Sequence, residues 1–167
     1  IAHPNQKPLE VILDPELTIQ LPKNLTAWTG IDALVHAIEA YVIDDFHPLC
    51  DGAALEALRL IYPNLPIVYE KGEDLTSRGK MLVGSCLAGI SFLKGLGFVH
   101  AISHMVGAEY DTQHGLTNAI VLPSVLRFNK DGIGSKISVM SEAMGLKKND
   151  FDYFYKSICD LLDQFEI

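Results

Sequence analysis

The chain has 167 residues, a formal net charge of −8, 49% hydrophobic residues and 20% charged residues. That length suits one domain with a sizeable core, and the composition excludes the disordered and fibrous classes. The acidic balance argues against nucleic acid and against an anionic membrane surface, since both need clustered Lys and Arg.

Residues 8–13, PLEVIL, read as a short strand or an extended lead-in. DPELTIQLP, residues 14–22, reads as a turn and linker with prolines near both ends. The first helix is predicted from about Leu25 to Val42, with Ile31, Leu34, Val35, Ile38 and Val42 on an apolar stripe. A second begins near Pro48 and runs through GAALEALRLIY until Pro63 and Pro66 interrupt or kink it, because proline lacks the N–H and clashes with the preceding turn. A third covers about Asp74 to Leu93, and its small residues Gly84, Ser85, Ala88 and Gly89 permit close helix packing. GLG at 95–97 breaks it, and a fourth helix follows at about 98–109. DTQHG reads as a loop carrying His114. A fifth helix is predicted at about 115–129 with a kink at Pro123, and further segments at about 134–144 and 150–165, with Gly145 as a stop signal. No strand–helix alternation appears, so the predicted fold class is all-α: a helical bundle with a short extended N-terminal segment.

The longest apolar run, around MLVGSCLAGISFL, stops at Lys94, short of the roughly 18–20 residues that a membrane span needs. Cys50, Cys86 and Cys159 are far apart and form no CxxC, which fits reduced thiols in a cytoplasmic protein rather than a disulfide framework. The first residues, IAHPNQKPLE, have no secretory apolar core. The chain starts at Ile1 and stops at QFEI inside a predicted amphipathic helix, so the expectation is a piece of a longer protein.

The chemistry concentrates in two places. TGIDALVHAIEAY puts Asp32 and His36 four apart, on one face of the first helix. GLGFVHAISHMVGAEYDTQHG repeats that spacing with His100 and His104 and adds His114. A carboxylate and imidazoles among apolar residues are costly to bury without partners. Together they form a mixed O/N set suited to Fe²⁺, Zn²⁺ or Ni²⁺. Each signal alone is weak: a lone helical His is commonly no ligand, and D-x-x-x-H also describes a surface ion pair of about 0.3–0.5 kcal/mol. Spacing leaves a shared metal site and helix-surface residues as open alternatives. His3 and His47, beside Pro4 and Pro48, read as surface residues, as do Glu39 and Glu109. GLGFVH is not a phosphate loop, because the G-x-G-x-x-G is incomplete and no strand precedes it; its glycines suit a sharp turn and close backbone approach.

TGIDALVHAIEAY, followed by GLGFVHAISHMVGAEYDTQHGLTNAIVLPSVLRFN, closely resembles the iron-containing (group III) alcohol dehydrogenases, from about DPELT at 14–18 to about residue 129. The family pairs an N-terminal nucleotide-binding domain, with a GGGS-type loop, and a C-terminal helical metal-binding domain. No GGGS is present here. The resemblance therefore assigns residues 1–22 to the tail of the nucleotide domain and crossover, and 23–167 to the helical domain, truncated at its C-terminus. It also implies Asp32, His36, His100 and His114 as metal ligands. His104 is implied as a catalytic residue beside the substrate and nicotinamide, handling the alcohol proton. Met105 and Val106 depart from a common family pattern, which puts substrate preference in question.

The implied activity is hydride transfer between a small alcohol or aldehyde and NAD or NADP, with Fe²⁺ as the metal and Zn²⁺ as the variant. The metal-binding part alone is expected to be inactive. A homo-oligomer is implied, with no nucleic acid or membrane partner. The rivals are same-fold enzymes of the Zn-dependent glycerol-dehydrogenase or maleylacetate-reductase kind, hydroxyacid–oxoacid transhydrogenases, and a non-catalytic metal-binding helical domain. A metal-dependent hydrolase ranks lowest, for want of a placed general base.

Overall fold

A computed structural model describes residues 8–167. Among these residues the regular structure is entirely helical, as the sequence predicts. The eight α-helices are α1 (Lys23–Val42), α2 (Pro48–Glu70), α3 (Leu75–Ser91), α4 (Phe98–Tyr110), α5 (His114–Phe128), α6 (Lys130–Ile133), α7 (Lys136–Ala143) and α8 (Phe151–Gln164). His3 lies outside the described residues. PLEVIL takes no strand form: Leu9, Val11 and Ile12 are exposed. The linker after it winds into a 3-10 turn, Pro15–Thr18, whose Glu16 amide donates to the Asp14 side chain.

The centre of the bundle is α1. The expected one-sided stripe proves too narrow, because Ala27, Ile31, Leu34, Val35 and Ala37 are all fully buried. A helix that is apolar nearly all round belongs inside, and α2, α3 and α5 pack around it. Its exposed start follows Pro22, and its last carbonyls, Val42 and Ile43, accept from Lys136 Nζ on α7 at 3.1 and 2.8 Å. A cation there balances both the orphan carbonyls and the negative end of the helix dipole.

Pro63 and Pro66 do not interrupt α2, which runs through both. Each proline forfeits its N–H and crowds the preceding turn, and packing of Leu58, Ile61 and Leu65 against α1 and α3 holds the helix together despite this. Pro123 likewise lies inside α5. His47 is exposed, as expected, and its Nδ1 also caps α2 by accepting from Cys50 N–H at 3.3 Å. Of the small residues predicted for α3, Gly84 and Ala88 are buried, whereas Ser85 is exposed.

The segment expected at 134–144 is α7, and the four-residue α6, which was not expected, precedes it directly after α5. Gly145, at φ +70°, ends α7: its N–H bonds to Glu142 O and that of Leu146 to Ser141 O, a left-handed cap that suits glycine. Strong two-sidedness marks α8, whose Phe154, Ile158, Leu161 and Leu162 are buried. Its charged face carries the Lys156–Asp160 pair. No single described helix is long and apolar enough to cross a membrane.

Candidate metal centre

The face of α1 bearing Asp32 and His36 meets the first turns of α4 and α5, which carry His100 and His114. One ligand atom from each of Asp32, His36, His100 and His114 lies within 4.8 Å of the other three. Asp32 is the hub. Its Oδ1 is 3.5 Å from His100 Nε2 and 3.4 Å from His114 Nε2, and its Oδ2 is 4.0 Å from His36 Nδ1. The rings of His36 and His100 stack at 4.4 Å, and Phe92 closes the outer side of His36 at 5.1 Å.

His104 stands apart from this quartet. It is exposed at the rim, its ring stacked on His114 at 5.1 Å and edge-on to His100 at 5.8 Å. Spacing alone did not separate His100 from His104, since i and i+4 residues share a helix face. Depth separates them, because His100 lies on the inner first turn and is 2% exposed. His114, expected in a loop, is the first residue of α5, with the Gln113 side chain capping Leu116 N–H.

Close approach of α5 to α1 sets the His114 position. A Cβ on Gly115 would lie 2.3 Å from the Trp28 carbonyl oxygen and 3.3 Å from Asp32 Cβ. Only a residue without a side chain lets the two backbones come that near.

Two functional side chains escaped the sequence reading. Asn118, one turn after His114, sends Nδ2 into the quartet, 2.6 Å from Asp32 Oδ1 and 3.1 Å from both His100 Nε2 and His114 Nε2. Glu39 is the second and requires a correction. It was read as a surface acid, yet it is 4% exposed. Its carboxylate accepts from His100 Nδ1 at 2.7 Å and from the Gly97, Val99 and His100 amides. The available signal was spacing: Asp32, His36 and Glu39 fall at i, i+4 and i+7, one face of α1. Glu109 is exposed, as expected.

The charges are strongly interlocked. Burial pushes Asp32 up, but the His100 hydrogen bond, the His36 charge and the Asn118 amide outweigh it and hold the carboxyl below its usual 3.8. Burial lowers His36 and His114 below 6.5 against the opposing pull of Asp32, so both rings are neutral near pH 7. Burial also opposes charge on His100, yet the hydrogen bonds to Asp32 and Glu39 raise that ring to about 9.

Asp32 Oδ1, His100 Nε2 and His114 Nε2 all lie against one amide nitrogen, while Asn118 Oδ1 is buried with no donor. Once His100 gives up its Nε2 proton, two amide hydrogens cannot serve three acceptors. The donor set of one carboxylate and three imidazoles suits a divalent transition ion, and the residues fit such an ion.

An all-helical bundle that turns one carboxylate and three imidazoles toward a common point is the class of domain that fold and site define. Residues 26–167 match the family described as Fe-containing alcohol dehydrogenase, C-terminal, and the chain belongs to that family. It is 40% identical over 163 residues to a probable alcohol dehydrogenase, EutG, of Salmonella typhimurium, covering 97% of this chain and 41% of that protein. It is 42% identical over 139 residues to an NAD-dependent methanol dehydrogenase of Bacillus methanolicus, covering 83% of this chain and 36% of that one. The crystal structure of a 1,3-propanediol oxidoreductase superposes with a TM-score of 0.87 at 39% identity, covering 92% of this chain and 42% of that chain. The chain thus spans about two fifths of the length of such relatives.

Proposed function

We propose that this chain is the metal-holding part of an enzyme that transfers hydride between a small alcohol or aldehyde and NAD or NADP. The observation that carries the reading is the convergence of Asp32, His36, His100 and His114 on one point in a chain of this family. An Fe²⁺ ion held by these four side chains, or Zn²⁺ in its place, supplies Lewis acidity toward the alcohol oxygen.

The chain's own residues do the rest. Asp32 contributes the negative charge that offsets the ion's charge. His36 and His114, with pKa values pulled down by burial, offer lone pairs without first losing a proton. His104, exposed beside His114, is the group placed to take the alcohol's hydroxyl proton and pass it to water. The apolar body of α1 keeps water off the inner side of the site, and Phe92 lies against His36 on its outer side. In the whole protein a nucleotide-binding part supplies the nicotinamide.

The relatives' names, an NAD-dependent methanol dehydrogenase among them, support short alcohols and NAD as the first substrates to try. The test is nicotinamide absorbance of the whole protein containing this chain, reconstituted with Fe²⁺ or Zn²⁺, over a panel of short alcohols and aldehydes. Turnover that needs the metal and disappears in His114→Ala is expected. Stoichiometric metal with no nicotinamide turnover on any member of the panel sinks the dehydrogenase reading in favour of a non-catalytic metal domain.

A further inference from the structure

Among the described residues Glu39 is the only buried acid, and every donor its carboxylate meets belongs to the start of α4. Oε1 accepts from Val99 N–H at 2.7 Å. Oε2 accepts from Gly97 N–H at 3.1 Å, His100 N–H at 3.3 Å and His100 Nδ1 at 2.7 Å. Three of these are first-turn amides with no partner inside the helix, the kind of site that attracts an anion. The GLGFVH stretch therefore does cradle an anion, and the chain itself supplies it. A Cβ on Gly97 would lie 2.7 Å from Glu39 Oε1, so the glycine is the condition for this approach.

We propose that Glu39 is a positioning residue for the metal centre: it fixes the proton of His100 on Nδ1 and so turns the Nε2 lone pair toward the quartet. This rests on reading the quartet as a metal site. A carboxylate only accepts, so the ring nitrogen facing it must carry the proton. A neutral imidazole protonated at Nδ1 has its lone pair at Nε2. That atom is the one 3.5 Å from Asp32 Oδ1 and 3.1 Å from Asn118 Nδ2. The three amides and the ring share the same carboxylate, so the rotation of His100 about its own backbone is fixed together with the position of α4. A second group that holds a ligand's other ring nitrogen is worth about 10- to 100-fold in metal affinity.

Glu39→Gln separates this role from a purely structural cap. Gln keeps the size but offers a single, uncharged acceptor oxygen; the three donors at the Oε2 position draw that oxygen to them, so the His100 Nδ1–H bond survives only in a weaker, uncharged form. The whole protein is used, with two readouts. In the metal-free protein, at a pH above the raised His100 value where the ring is neutral, ¹⁵N NMR of the His100 ring is expected to show the proton on Nδ1 in wild type, with the downfield Nδ1–H resonance moved upfield in Glu39→Gln. In the second readout, Co²⁺ affinity by chelator competition is expected to fall about 10- to 100-fold in the variant, with helical circular dichroism unchanged. If Glu39→Gln does not fold, Gly97→Ala takes its place: the added Cβ displaces Oε1, and the downfield Nδ1–H resonance of His100 and the Co²⁺ affinity are both expected to decline. A wild-type proton on Nε2, an Nδ1–H resonance unmoved in Glu39→Gln or in Gly97→Ala, or Co²⁺ binding within twofold of wild type overturns the proposal. Wild-type protein that takes up no Co²⁺ overturns the metal-centre reading instead, and the metal-free NMR comparison still decides the role of Glu39.

Discussion

Gly115→Ala tests whether backbone approach builds the candidate metal centre. The new Cβ would stand 2.3 Å from the Trp28 carbonyl oxygen, against about 3.4 Å for ordinary contact. The obstacle is α1 backbone in the middle of the core, so it cannot rotate away. The start of α5 must then retreat from α1 by about 1 Å, taking His114 with it. His114 Nε2 is now 3.4 Å from Asp32 Oδ1, and a 1 Å misplacement in a preorganised site costs on the order of 100-fold. Overpacking of this kind also destabilises by about 1–3 kcal/mol, partly offset by up to about 1 kcal/mol from alanine's better helix propensity. Gly52→Ala is the matched control. It lies exposed in α2 with nothing within 4 Å of its added Cβ, so it should gain about 0.5–1 kcal/mol. Melting temperature and Co²⁺ affinity are measured for both variants. Gly115→Ala is expected to melt lower and to bind metal about 100-fold more weakly, while Gly52→Ala melts slightly higher with unchanged affinity. Wild-type metal affinity in Gly115→Ala would refute the argument that this contact positions His114.

His114→Ala should abolish stoichiometric metal binding, whereas His104→Ala should keep one metal per chain and lose turnover; equal metal loss in both would place His104 among the ligands. The metal-free protein should lose stability as pH rises from 6.5 through about 9. His100 is raised from 6.5 to about 9 by its two carboxylate partners despite burial, so its contribution is full below the unfolded value and is lost above the folded one. His36 and His114 have the opposite sign: lowered from 6.5, they add stability above that value that fades as pH falls. A melting-temperature profile of metal-free protein that is flat between pH 6.5 and 9 would contradict the His100 assignment. Metal binding near pH 7.5 should release about one proton, because His100 must give up its Nε2 proton; calorimetry in two buffers of different ionisation enthalpy reads that number. Phe154→Ala removes a fully buried ring from α8 and should cost about 3–5 kcal/mol, seen as a lower denaturation midpoint; a loss below about 1 kcal/mol would mean α8 contributes little to the core.

Helix periodicity, the GLG break and the Gly145 stop were legible in the sequence because they depend on residues within one or two turns. So were Asp32, His36, His100 and His114 as candidates, since i and i+4 spacing and the family motifs both run along the chain. What the sequence left open was depth. His100 and His104 share one helix face, and only the packing of α4 against α1 and α5 buries the first and leaves the second at the rim. Glu39 on α1 looked like any helix-surface acid, because the amides that hold it come from residues about sixty positions later. Asn118 reached significance the same way, through an Asp32 contact across 86 positions. The expected interruption at the prolines failed in the opposite direction. A local rule had Pro63 and Pro66 interrupt or kink α2, and burial against α1 and α3 carried the helix without interruption to Glu70. Local chemistry set which residues were available and which segments became helices. Long-range packing decided which of those residues lost water and met one another, because desolvation and hydrogen bonding depend on neighbours in space rather than along the chain.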